Sequence, residues 1–271
     1  MPETSLESRP PASRLLPLAL PAAVLSLLLA SCSSDAGSSD AGKGQGARTA
    51  DVSEGATESA PTDAPAALQP QDAVIRGVPQ RQWDAMVGAG MVREGCPVTE
   101  RTQLRRVEVD HVNFEGELKR GHLIVNADTA ETTARIFTRL YDEGFPIERM
   151  RGVENYDGDT LKSLQDNNTS AYNCRRPDQI NAPVLESPHA NGRAVDINPR
   201  QNPWMDLRCD CWSPGAENAE RTPGAGKILR GGPVWETFTD EGWIWQNIDV
   251  PDYMHFDTGY PSMPYATPPG S

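Results

Sequence analysis

Apolar residues recur along this chain at two spacings, and the switches between them mark out its elements. Val107 and Val109 alternate with charged residues, Asn113 to Gly116 turns the chain, and Leu123-Ile124-Val125 continues it. That pattern predicts a hairpin with one buried face. Ala134, Phe137, Leu140 and Tyr141 then follow at helical spacing until Gly144 and Pro146 stop them. Asp128-Thr129-Ala130-Glu131 reads as the start of that helix, with Asp128 as its cap. Pro79 ahead of Trp83, Met86 and Val87 predicts a short opening helix; Pro233 with Trp235 and Phe238, ended by Gly242, predicts a last one. Ala194–Ile197, Trp243–Trp245 and Tyr253–Phe256 read as short strands. Hairpins mixed with helices, without regular β-α alternation, predict an α+β fold.

The chain before residue 72 has a different texture. Arg9 and Arg14 precede an apolar run, Leu15 to Ala30, broken by Pro17 and Pro21. It is too short and interrupted for a comfortable membrane span and reads as a signal peptide, residues 1–31. Leu29-Ala30-Ser31-Cys32 resembles a bacterial lipobox, which makes Cys32 the expected lipidation site. The expected location is extracytoplasmic, on the bacterial cell membrane, held by an N-terminal lipid anchor. One acyl chain alone gives only marginal binding, so stable anchoring needs more than one. Residues 33–70 are mostly Ser, Ala, Gly, Asp, Thr and Pro with no aromatic residue, and cannot bury enough surface to offset their ordering entropy. We read 32–71 as the lipidated cysteine and a flexible tether, 72–265 as one domain with a sizeable core, and 266–271 as a tail.

Composition narrows the partners. A formal charge of −13 argues against nucleic-acid binding, which needs a positive surface; a monomer is expected. Cys96, Cys174, Cys209 and Cys211 are an even number in an oxidising compartment. They permit three pairings, and sequence alone does not choose.

The candidate chemistry lies in two segments, Ser187-Pro188-His189-Ala190-Asn191-Gly192-Arg193-Ala194-Val195-Asp196 and Asp252-Tyr253-Met254-His255-Phe256. Half of the four histidines fall in them. His189, Asp196 and His255 make a three-ligand zinc set with one position open for water, one ion per chain. Asp252, three residues before the last ligand, is placed to take that water's proton. Pro188 and Gly192 argue against helix between His189 and Asp196, so a loop entering a strand is expected, with Gly192 permitting the turn. Asp252 and His255 have opposite parity on an ideal strand, so a bend or bulge is expected between them. His111 and His122 fall in predicted strands and read as satisfied strand histidines; Asp257 reads as structural. Trp243 and Trp245 serve equally as cleft walls or as core.

Ser-x-His-x-x-Gly-x-Ala-x-Asp followed by Asp-x-x-His resembles the LAS-type zinc peptidases. These comprise VanY-like D-alanyl-D-alanine carboxypeptidases, VanX-like dipeptidases and phage L-alanyl-D-glutamate endopeptidases. The similarity runs from Gly95-Cys96-Pro97, through Thr169-Ser170-Ala171-Tyr172-Asn173-Cys174-Arg175, to near Asp257. It implies a hedgehog/DD-peptidase fold, a small antiparallel sheet flanked by helices, and hydrolysis of peptidoglycan stem peptides. The resemblance implies Arg175, in preference to Arg176, as the electrostatic partner of the reacting carbonyl, and Ser187 and Tyr172 as substrate-binding residues. It also implies a Cys96–Cys174 bridge, leaving Cys209 and Cys211 paired across a short loop or free. The family often has Gly-Gly after the second tryptophan; here Gln246-Asn247 stands instead. Trimming of terminal D-Ala is the expected activity, with L-Ala-D-Glu cleavage and a non-catalytic, zinc-stabilised cell-wall-binding module as alternatives. The choice of bond rests on cleft loops such as 204–230.

Overall fold

The computed structural model describes residues 69–180, 185–246 and 248–270. The signal peptide, Cys32 and the tether as far as residue 68 lie outside the described residues. Among the described residues, no helix is long and apolar enough to cross a membrane.

The alternating segment forms the expected hairpin. Strands β2 (Leu104–Val112) and β3 (Leu118–Asn126) pair antiparallel along their full length, and β1 (Val74–Gly77) adds to the β2 edge. Val107, Val109, Leu123 and Val125 point to one face and are buried, as the two-residue period requires. Helix α2 (Ala130–Asp142) lays Ala134, Phe137 and Leu140 on that face. It ends as Gly144 predicts: Gly144 takes a φ of 69°, Gly144 N–H donates to Tyr141 O at 2.9 Å and Phe145 N–H to Leu140 O at 2.9 Å. These bonds satisfy the last helical carbonyls. The start differs from expectation. No side chain caps α2 itself; Asn126 caps the short 3-10 turn Ala127–Thr129 that leads into it, accepting from Asp128 N–H. Asp128 instead receives Arg193, at 2.7 Å from Nη2 and 3.0 Å from Nε; a fixed guanidinium nearby outcompetes a backbone N–H for a carboxylate.

Helix α1 (Gln80–Gly88) packs over a second apolar cluster, with Met86, Met91, Leu104, Ile124 and Tyr172. The disulfide Cys96–Cys174 lies in that cluster, and Cys209 is bonded to Cys211. Helix α4 (Pro233–Asp240) closes the main core through Phe238, which stacks on Phe256 with centroids 3.9 Å apart and meets Phe137 and Trp243 edge-on.

The architecture is α+β, but the strands do not form one sheet. Short β4 (Arg149–Met150) and β5 (Asn168–Thr169) pair parallel. β6 (Ala194–Asp196), β10 (His255–Asp257) and β9 (Ile244–Trp245) form a second three-stranded sheet in the order β6-β10-β9. β7 (Trp204–Asp206) and β8 (Cys211–Ser213) form a hairpin of their own. Contacts run past both expected boundaries. Asp110 accepts from Gln71 N–H at 2.6 Å, and Pro268 lies close to Gly242.

Candidate metal centre

The sheet register brings two of the three expected ligands together. β6 and β10 run antiparallel with His255 directly opposite Asp196, and directly opposed residues project to the same face. His189 arrives from a tight turn, in which Arg193 N–H donates to Pro188 O at 2.8 Å and Gly192 N–H to His189 O at 3.0 Å. Gly192 has a φ of +72°, and a Cβ there would sit 2.7 Å from the Asn126 backbone nitrogen. Only glycine fits both constraints. Asp252 is not on β10; it precedes the strand and pairs across to Trp204. That placement removes the parity problem, because the chain bends before the strand begins.

His189 Nε2 lies 3.1 Å from His255 Nδ1 and 3.2 Å from Asp196 Oδ1, and the third side of the triangle is 3.3 Å. Tetrahedral zinc with bonds of about 2.0–2.1 Å separates its ligand atoms by roughly 3.3 Å. The outer nitrogens are occupied: His189 Nδ1 lies 2.8 Å from Ala171 O, and His255 Nε2 lies 2.9 Å from Asp257 Oδ2. Each of these acceptors takes an N–H, which leaves an imidazole lone pair aimed inward. Two lone pairs and a carboxylate oxygen thus converge in a buried space that calls for positive charge at its centre. A proton on His255 is the alternative cation that the surrounding carboxylates favour. Burial pushes the His255 imidazole down, yet its bonds to Asp196 and Asp257 outweigh that and raise it to about 10. Burial likewise raises the Asp196 carboxyl, but the two imidazoles hold it well below the usual carboxylate range. The donor set fits a metal ion, and His189, Asp196 and His255 can hold one.

A cleft of about 320 Å³ opens over this triangle. Asp252 lines it, with a buried Oδ1 that has no hydrogen-bond partner among the described residues. Burial pushes its carboxyl up to about 7. Arg175 also lines the cleft, its Nε donating to Thr160 Oγ1 at 3.2 Å. Burial lowers the Arg175 guanidinium, while Asp196 and Asp252 pull it back up. Arg176 points elsewhere, bonding Ala89 O and Asp157 O.

Ser187 lines the cleft. Tyr172 does not: it is buried beside α1, its hydroxyl donating to Met91 O at 2.6 Å. An aromatic ring with its one polar atom satisfied packs better in the core than at a wet rim. Trp243 and Trp245 are core as well, Trp243 donating to Thr132 and Trp245 to Tyr253 O. The cleft's tryptophan is Trp204, with Leu164, Ile180, Met254, Ile248 and Tyr260 completing the apolar wall. Asp257, read from sequence as structural, bonds His255 Nε2 and so leaves Nδ1 facing His189 and Asp196. Its spacing from His255, two residues along a strand, was the available signal.

No curated protein and no solved structure matches the chain significantly. Residues 181–258, which carry His189, Asp196, Asp252 and His255, match the D-alanyl-D-alanine carboxypeptidase family of peptidases.

Proposed function

We propose that the protein is a zinc metallopeptidase that trims peptidoglycan stem peptides as a D-alanyl-D-alanine carboxypeptidase. The observation that carries this reading is the convergence of His189 Nε2, His255 Nδ1 and Asp196 Oδ1 inside the segment that matches the carboxypeptidase family. Zinc in that triangle would act as a Lewis acid toward the scissile carbonyl and lower the pKa of water at its open position. Asp252 takes the proton of the attacking water and returns it to the leaving amine. Arg175 faces the negative charge that develops on the carbonyl oxygen; a fixed guanidinium suits that role. Ser187 meets a polar end of the substrate.

The reading places the enzyme outside the cytoplasm, held to the membrane by lipid on Cys32. A Cys32→Ala chain that stays in the membrane fraction would contradict that anchoring. The activity is tested by digesting purified peptidoglycan and weighing the fragments. Loss of one alanine from pentapeptide stems is expected. Release of fragments beginning at glutamate would assign L-alanyl-D-glutamate cleavage instead, and no change in mass would leave a binding module.

A further inference from the structure

We infer that Thr160 is a positioning residue for Arg175, and so sets the catalytic rate without touching the reacting atoms. The inference rests on the proposed peptidase reading of the site. Thr160 opens α3 (Thr160–Gln165), behind Asp159, whose side chain caps the helix by accepting from Lys162 N–H. The Thr160 hydroxyl oxygen receives two donors, Arg175 Nε at 3.2 Å and Asn173 Nδ2 at 2.9 Å. A hydroxyl has two acceptor positions, so both are filled. The residue is 7% exposed, which shields these bonds from competing water. Asn173 is fixed in turn, its N–H donating to His189 O at 3.0 Å. One hydroxyl thereby ties the arginine to the turn that carries a metal ligand.

The tie matters because of what else attracts the guanidinium. Asp196 and Asp252 both act on Arg175 electrostatically. The Thr160 bond engages Nε and neither of the two terminal nitrogens. Held at Nε, those nitrogens remain available to the cleft. Released, the guanidinium is drawn toward Asp252, where an ion pair would both remove the charge from the carbonyl oxygen and quench the base. Arg175's long side chain has the freedom to make that move.

Thr160→Val removes the hydroxyl at nearly constant volume. We expect kcat to fall about 10- to 100-fold, the scale of a small misplacement at an active site, with zinc content and KM near wild type. Thr160→Ser, which keeps the hydroxyl, should restore most of the rate. In an Arg175→Ala background, Thr160→Val should cost nothing further, because residues acting through one another are not additive. Thr160→Ala carries the same cycle should the valine variant misfold. A hydroxyl-free variant with normal kcat, or one whose full loss adds to that of Arg175→Ala, overturns the inference. A wild-type protein with no peptidase activity would instead overturn the function on which it rests.

Discussion

The four histidines form two pairs, and the contrast between them shows which pair could hold a metal ion. His111 and His122 sit on β2 and β3; His189 and His255 sit on the turn and strand of the cleft. Burial does not separate His111 from the cleft pair, since it is as buried as His189 and His255, whereas His122 is only partly buried. Hydrogen bonding does not either. His111 Nδ1 bonds Ile147 O at 2.8 Å, much as His189 Nδ1 bonds Ala171 O. For His122 the difference lies at Nε2. His122 Nε2 accepts from Gly152 N–H at 3.3 Å and lies 3.1 Å from Gln82 Nε2, so protein donors occupy its lone pair. His189 and His255 aim theirs at each other and at a carboxylate. A buried histidine becomes a ligand when its free lone pair converges with others on a space that holds no donor.

The largest effect should come from breaking that convergence. His189→Ala is expected to lose bound zinc and all hydrolysis, while His111→Ala keeps its zinc and loses stability. Metal analysis of the two purified variants decides between them, and equal zinc in both would dissolve the contrast. A milder change acts through the outer nitrogen. Asp257→Asn leaves every ligand in place but weakens the fixing of the His255 ring, and should lower zinc affinity about 10- to 100-fold. Competition with a chelator measures it, and unchanged affinity would return Asp257 to a purely structural part.

The smallest effect concerns the other pair and pH. Burial, then the charge of Arg106, pushes His122 down to about 4 from an ordinary 6.5. The unfolded chain then binds more protons than the folded one between those values. Stability is therefore full above about pH 6.5 and declines as pH falls toward 4. His122→Gln, which keeps an acceptor for Gly152 N–H, should flatten that decline. Thermal melts at pH 7 and pH 5 test this, and an identical acid loss in variant and wild type would contradict it.

The convergence of His189, Asp196 and His255 was legible in the sequence because metal chemistry admits few residue types and places them in short motifs. His189 and Asp196 flank one glycine turn, and Asp252 and His255 flank one bend. The hairpin and α2 were legible because each lays a periodic apolar face on the core. The cleft wall was not. Trp204 reaches Asp252 only through the pairing of distant segments, and Thr160 reaches Arg175 from the start of a short helix. No local pattern marks either. Tyr172 shows the converse error: next to the residues that build the site, its ring turned inward to Met91 because a buried hydroxyl must find an acceptor. The division of the strands among several small sheets was not legible either, since short strands carry no signal of which neighbour they will pair with.

The most direct measurement of the central claim is made on one preparation of Asp252→Asn, assayed for zinc and for release of alanine from pentapeptide stems. Asparagine keeps the shape and leaves His189, Asp196 and His255 untouched, but cannot accept and return a proton. The account predicts wild-type zinc stoichiometry with turnover reduced at least about 100-fold. Full zinc with undiminished hydrolysis would contradict it, because the carboxylate beside the metal centre would then not be the base.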